Sequence, residues 1–474
     1  MRCNRFFIML VIVAVSAVFS GCQPNPEINT VTSKNDGAFE AALENAATEI
    51  PNEVGAAQTY QASFTSADGT ITYTVNAELP AAAGTGPVIQ VTPHEITTDE
   101  ARAIAQVLFD GADMYEYSEE MSKSELEESI LYLERKLSDY DTLLEYYGGN
   151  REMTDIIVSM YTAQIAGYKE KYENSEDAVE PQLCHWEFYP ETHYTAVGTS
   201  GSEYIMAMTM LDGIPYRYRV CNRNEADYRI HSVFAFPDQT KINLDTIYST
   251  QKPSESDITA LCIQAQEMLK AMGLEDWYIS SSSVMNMELG DGRIGYTVVI
   301  KAAPSYEGIK VVPQEQIASL KSDDAHASNY YYEVVEMDFT GGLLTFFEYQ
   351  APVDVVSVVN DGVMLLTAGE IVDTFENYMT LDDIATYQIP GIPDEVAETQ
   401  QISRVEAIVD TVEFGLTRIR IKNNESDFYL VPAYTFKGTY VAYNGVGEAG
   451  MKMETTFAVI NAVDGTIINT DLGY

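Results

Sequence analysis

Five histidines, His94, His185, His193, His231 and His326, are the side chains best suited to proton transfer or metal binding near neutral pH. None stands in the H-E-x-x-H spacing that sets two imidazoles on one helical face for zinc. Cys184-His185 supplies one close ligand pair, with His193 and Cys221 nearby in the chain, whereas a structural zinc site ordinarily uses two such pairs. The sequence therefore predicts neither a metal site nor a cofactor. His94-Glu95 follows Pro93 just before a helix begins. A polar pair there is expected to satisfy terminal backbone groups in preference to acting as acid and base. No nucleophile elbow, phosphate loop or dinucleotide glycine pattern occurs. Asp110, Asp113 and Glu116 cluster, as do Asp323 and Asp324, without calcium-loop spacing. With 72 acidic residues, neighbouring acids arise by chance. A glycosidase pair, whose members need only meet in space, leaves no local signature. No catalytic residue is assigned, and the chain is read as a non-enzyme.

Aromatic side chains offer another chemistry. Tyrosine alone numbers 32. Trp186, Tyr189, Tyr194 and Tyr204, or the run Tyr330, Tyr331 and Tyr332, are suited to a stacking platform for a sugar or peptide. Tyrosine equally suits half-buried sheet faces, which this chain has in abundance. Trp186, Tyr189, Tyr330, Tyr331 and Tyr332 are the candidate ligand-binding residues.

These residues must be held by elements, and the chain opens with a segment that sets its location. Arg2 and Arg5 precede an apolar run from Phe6 to Phe19, and Ser20-Gly21-Cys22 closes it. That is a basic n-region, a short apolar h-region and a small-residue cleavage site. The run is too short for a mature transmembrane helix, which needs about 20 residues. Residues 1–21 read as a lipoprotein signal peptide, with Cys22 the lipidated residue. Residues 22–59 read as a flexible tether with a short helix around Phe39 to Ala47. The net charge of −45 repels phosphate backbones and anionic headgroups, which argues against nucleic acid as a partner. Membrane contact is expected through the lipid alone. Cys184, Cys221 and Cys262 are too few for a disulfide framework and read as buried thiols, with a Cys184–Cys221 bridge the alternative.

The remainder predicts an α+β fold of antiparallel sheets packed by helices, in two to three domains. The N-terminal domain spans 60–250. It opens with a hairpin turning at Asp68-Gly69, a short strand over Val88 to Val91 and a capped helix after Thr97. Within it, 122–173 reads as a long antiparallel helical hairpin. Leu126, Ile130, Leu133, Leu137, Tyr140, Leu144 and Tyr147 form a heptad seam on one helix of about 26 residues. Gly148-Gly149-Asn150 breaks it, and Ile157, Tyr161, Ile165, Tyr168 and Tyr172 line the return. The Tyr-rich second seam favours a hairpin folded onto the neighbouring sheet over a projecting arm. Antiparallel strands follow from Gln182 to Thr250. A middle domain, 251–350, and a C-terminal domain, 351–474, repeat a helix-then-strands order. The three helix-then-strands units start near Thr97, Ser256 and Thr367.

Val91-Thr92-Pro93-His94-Glu95, Phe339-Thr340-Gly341-Gly342-Leu343 and Ile460-Asn461-Ala462-Val463-Asp464-Gly465, together with the Cys22 segment, resemble a family of clostridial-type Gram-positive lipoproteins of unknown function. More distantly, the helix-plus-sheet units, chiefly 367–474, look like PepSY domains and like YycH and YycI. The resemblance implies a regulator on the outer face of the cytoplasmic membrane that acts through contact with an envelope protein. The alternatives are a glycan- or peptide-binding lipoprotein with an aromatic cleft, and an envelope hydrolase whose acids meet only in the fold. Oligomeric state is left open.

Overall fold

The computed structural model describes residues 38–44 and 57–470 apart from short internal stretches, of which 315–331 and 390–401 are the longest. The expected signal peptide, Cys22, Tyr330 and Tyr331 lie outside the described residues. The described residues of the expected tether include a short helix, α1 (Ala38–Glu44).

Strands β1 (Gln58–Thr65), β2 (Ile71–Leu79) and β3 (Thr85–Pro93) lead to helix α2 (Thr98–Leu108) and the short β4 (Tyr115–Glu116). Helices α3 (Lys123–Leu137), α4 (Tyr140–Tyr146) and α5 (Arg151–Asn174) come next. Four strands follow, β5 (Tyr189–Thr195), β6 (Gly198–Leu211), β7 (Ile214–Glu225) and β8 (Tyr228–Pro237). Helix α6 (Glu255–Ala271) precedes β9 (Trp277–Glu288), β10 (Ile294–Tyr306) and β11 (Ile309–Lys310). After β12 (Val334–Thr340), β13 (Leu343–Gln350) and β14 (Val353–Met364) comes α7 (Ala368–Thr380). The chain ends through β15 (Ile402–Arg420), β16 (Phe428–Asn444) and β17 (Met453–Asn461). This is the expected α+β class. β14 is the strand that alternation does not mark, because its apolar residues run consecutively.

The chain divides into two compact units built from non-consecutive segments. The larger holds Pro87–Asp361 and Phe414–Pro432, and the smaller holds the described part of Met1–Gly86 with Gly362–Glu413 and Ala433–Ile467. The expected boundary near 250 separates nothing, because β8 pairs antiparallel with β13 inside one ten-stranded sheet. The expected boundary near 350 falls inside the larger unit.

In the larger unit the strand order reads β9-β10-β12-β13-β8-β7-β6-β5, with β4 and β11 as short additions. Two meanders thus meet at their last strands, and each is preceded by a helix. Both helices begin with a reciprocal capping box, Thr97 with Glu100 and Ser254 with Asp257, which fixes where each starts. Ile104, Ala105 and Leu108 of α2 and Ala265 and Leu269 of α6 bury themselves in the same core as Val220, Val233, Val335, Met337 and Phe347. Period-two alternation then turns Glu336 and Asp338 of β12 to the opposite face.

The helical hairpin forms between Lys123 and Asn174, with one correction. The expected continuous helix is interrupted at Ser138-Asp139. Ser138 Oγ donates to the Arg135 carbonyl at 2.6 Å, and Asp139 accepts from the Thr142 N–H at 3.0 Å, so the side chains end one helix and start the next. Tyr140 consequently leaves the seam and is exposed.

In the smaller unit β1 and β2 form the expected hairpin. Asp68 accepts from Ser66 Oγ and from the Thr70 N–H, and Gly69 takes φ +73°. β2 pairs in parallel with β15 and β17 pairs with β16. Helix α7 covers them, stacking Phe375 on Phe436 at 4.1 Å. Gly438 permits the close approach of β16 to β15, since a Cβ there would lie 1.9 Å from the Ile408 carbonyl oxygen.

Candidate functional site

The densest group of titratable side chains lies in the larger unit, where five separate elements meet. Glu333 immediately precedes β12 and is only 7% exposed. Tyr306, ending β10, donates its hydroxyl to Glu333 Oε2 at 2.7 Å. Tyr349 of β13 donates to Oε1 at 3.3 Å, as does the Val353 N–H that opens β14. The buried Arg418 of β15 adds a positive charge, its guanidinium 4.0 Å above the Phe428 ring. Burial pushes the Glu333 carboxyl up to about 7, against the Tyr306 and Val353 hydrogen bonds and the Arg418 charge. Burial, followed by the charge of Glu333, raises both tyrosines above the ordinary phenol range.

An imidazole in the same unit ties three elements. The ring of His94, just past β3, bonds Glu100 of α2 at 2.9 Å and Asp354 of β14 at 3.0 Å, while its backbone N–H donates to the Pro352 carbonyl at 2.8 Å. The bond to Glu100 lifts the imidazole to about 9, against partial burial and with help from Asp354. Burial alone would raise Glu100. The bonds from His94 and from Thr97 outweigh it and hold this carboxyl down at about 2. His94 is therefore an imidazolium strap between two carboxylates. The sequence reading, in which it satisfies helix-end backbone groups, is corrected to that extent.

Both oxygens of Glu333 face donors of the protein itself, so the carboxyl ties the ends of β10, β13 and β14 together within the fold. Sequence reasoning missed Glu333, Tyr306, Tyr349 and Arg418. They come from different strands, and the one trace is a carboxylate heading the apolar run Val334-Val335. A related arrangement occurs in the smaller unit, where Tyr73 and Tyr387 donate to Asp382 Oδ2 at 2.5 and 2.7 Å.

A second acidic row lies on the face of the ten-stranded sheet turned away from α2 and α6. Glu336 stands opposite Glu348 and beside Lys301, whose Nζ is 3.5 Å from it. Burial, then the charge of Glu336, pushes Asp338 and Glu348 each up to about 7. No set of three or more ligating side chains able to hold a metal occurs among the described residues.

Of the sequence-predicted aromatic residues that the structure describes, Tyr189 meets Tyr204, while Trp186 and Tyr332 pack elsewhere. Tyr332 is 4% exposed and packs in a core with Ile89, Val91, Leu416 and Leu430, so its ring offers no stacking surface. Trp186 takes φ +57° and packs against Tyr218, with the Arg102 guanidinium 5.7 Å from its ring. Tyr189 is exposed at the start of β5, its ring 6.4 Å from that of Tyr204. His185 pairs with Glu116 on the surface, and Cys184 lies half-buried beside the core. No disulfide joins Cys184, Cys221 and Cys262.

The hairpin supplies a surface of another kind. Leu126, Leu133, Leu143, Thr154 and Ile165 are buried between its helices. Tyr172 reaches Glu127 at 2.5 Å, Lys169 reaches Glu134 at 2.8 Å, and Tyr140 reaches Asp155 at 2.8 Å. Among the described residues, α3 and α5 pack chiefly against each other and α4, so the expected seating on the neighbouring sheet gives way to a self-packed arm. The back of α5, away from this seam, is apolar. Met153, Ile156 and Met160 recur at helical spacing and are 45–59% exposed, and Ala163 and Gly167 continue the line. A helix facing only water is expected to be polar on that side.

No family model and no curated protein matches the chain. Among solved structures it is similar to an uncharacterized protein from Eubacterium rectale ATCC 33656, at 10% identity over 92% of this chain and 98% of that one, with a TM-score of 0.41.

Proposed function

We propose that this protein is a lipid-anchored module on the outer face of the cytoplasmic membrane that works by protein–protein contact, with the helical hairpin as its contact element. The observation that carries the reading is the outward apolar line Met153-Ile156-Met160-Ala163-Gly167 on an arm whose own core is already complete. Its spacing suits an amphipathic helix of an envelope protein, with large side chains at one end and small ones at the other to admit a second backbone. The segment from Met1 to Cys22 supports the anchor, and the acidic composition supports a body attached through its lipid alone.

The test compares the wild-type chain with a Met153→Lys, Ile156→Glu, Met160→Lys variant in crosslinked envelopes. The wild type recovers a defined protein, and the variant loses at least about tenfold of it while keeping its fold. Equal recovery by both contradicts the reading. For the anchor, Cys22→Ala abolishes fatty-acid labelling, and unchanged labelling refutes that assignment.

A further inference from the structure

On the face of the ten-stranded sheet turned away from α2 and α6, two arginines of β7 stand two residues apart in different surroundings. Arg217 is neutralised. Its Nη2 lies 2.8 Å from Oδ1 of Asp238, a carboxylate only 1% exposed, and its guanidinium sits 4.8 Å from the Tyr117 ring. Arg219 is half-buried, and among the described residues no carboxylate pairs with it. Its Nε is buried without a hydrogen-bond acceptor. The guanidinium is instead fixed 4.4 Å from the ring of Tyr204, which is wholly buried. In a chain of 72 acidic and 27 basic residues, a half-buried guanidinium would ordinarily find a carboxylate. A charge partly withdrawn from water without a counter-ion is unfavourable, and an anion arriving from outside relieves that cost.

The neighbours of Arg219 indicate which anion. Tyr189 of β5 stands opposite Tyr204 of β6, Met206 of β6 opposite Arg219, and Arg219 opposite Phe234 of β8. These side chains therefore project from one face. Tyr189 is 43% exposed, its ring 6.4 Å from that of Tyr204, while Met206 and Phe234 are half-buried. The guanidinium thus rests on an aromatic floor with an exposed ring to one side and apolar side chains to the other. Beyond Phe234 the same row continues with Glu348 and Glu336, whose carboxyls disfavour a dianion. We infer that Arg219 and Tyr189 bind a small monocarboxylate carried on a flat ring. The carboxylate accepts from the guanidinium fork and supplies the counter-ion that Arg219 lacks. The ring lies against Tyr189 and the Met206 thioether, both of which suit aromatic contact. A phosphate would bring up to two charges to one guanidinium in an acidic row, which is why the carboxylate is favoured. The inference is independent of the hairpin reading, since none of these residues belongs to the hairpin.

Benzoate is the probe, titrated into the full chain with isotope-labelled methionine methyl groups and followed by NMR. Met206→Leu identifies the Met206 signal. That signal should move saturably, with a dissociation constant on the order of 1 mM. Met451, 69% exposed in the smaller unit, should stay in place. Benzamide presents the same ring without the charge and should leave Met206 unmoved at concentrations where benzoate saturates. Arg219→Gln should weaken benzoate at least about tenfold, by removing charge-assisted hydrogen bonds. Tyr189→Ala should weaken it about threefold, by removing the ring contact. The other methionine signals report whether each variant keeps its fold, and the comparison of benzoate with benzamide on the wild-type chain decides the matter even if a variant does not. No movement of Met206 with benzoate, equal movement with benzamide or inorganic phosphate, or undiminished binding in either folded variant overturns the inference.

Discussion

The two halves of the ten-stranded sheet share one plan and differ in one insertion. In each, a capped helix lies on the sheet and a meander follows, and the last strands, β8 and β13, join the halves. In the second half, Met272–Asp276 alone separate α6 from β9, and Gly273 at φ +87° makes the turn. In the first half the helical hairpin stands between α2 and β5. The core needs α2 and α6 alike, since both bury residues against the same strands. The hairpin buries Leu126, Leu133 and Leu143 within itself. The comparison separates what builds the fold from what has been added to it, and the addition is where a specific function is sought.

The largest expected effect tests that separation. Leu269→Ala in α6 and Ile104→Ala in α2 each remove a buried side chain from the shared core and should cost about 2–5 kcal/mol in urea unfolding. Leu126→Ala, inside the hairpin, should speed amide exchange in α3 and α5 while moving the global midpoint far less. If it lowers the midpoint as far as Leu269→Ala does, the hairpin is part of the common core and the separation fails.

Next comes a cluster belonging to the second half. The Glu333 carboxyl is pushed up to about 7 from an ordinary 4.5. Between those pH values the folded chain holds a proton that the unfolded chain has lost, so stability falls as pH rises from about 4.5 to 7 and then levels. Glu333→Gln removes that dependence. Relative to wild type it should gain up to about 3 kcal/mol on going from pH 5 to pH 8, read from melting temperatures across the range. A parallel pH profile in both proteins would show that the carboxyl is ionised without penalty.

His94 gives a smaller effect of opposite sign. Its imidazole is raised to about 9 from 6.5, so its contribution is fully present below about pH 6.5 and fades as pH rises through 9. Partial exposure reduces its worth, and His94→Gln should cost about 1–2 kcal/mol at pH 6 and little at pH 10. Equal cost at both values would assign His94 to packing instead. The smallest effect belongs to the hairpin surface, where Lys169→Ala breaks an exposed pair with Glu134 and should change stability by less than about 0.5 kcal/mol.

Local signals made the elements legible and long-range ones did not. The capping boxes at Thr97, Ser122, Ser254 and Thr367 each begin a helix, because the box satisfies terminal N–H groups by residues four positions apart at most. The Asp68-Gly69 turn and the meander of β5 to β8 were readable from turn chemistry and alternation. The break at Ser138-Asp139 was hidden by an intact apolar period, since side-chain capping there competes with continuation of the helix. Strand β14 lacks alternation because Asp354 to Val359 are exposed on both faces, so its consecutive valines carry no period. The pairing of β8 with β13 joins residues more than a hundred positions apart, which no local pattern encodes. The cluster around Glu333 was illegible for the same reason, since each member looks like an ordinary strand residue until the strands meet. Tyr332 fits a half-buried sheet position in composition as well as it fits a platform, and burial in the core decided the matter.

The central claim, that the back of α5 receives another protein, is tested most directly by a photo-reactive amino acid placed at single positions in the full chain in cells. At Ile156, on the apolar line, irradiation should give one defined adduct with another protein, and at Thr162, on the flank of the same helix, it should give none. Equal labelling at both positions, or none at Ile156, would contradict the account.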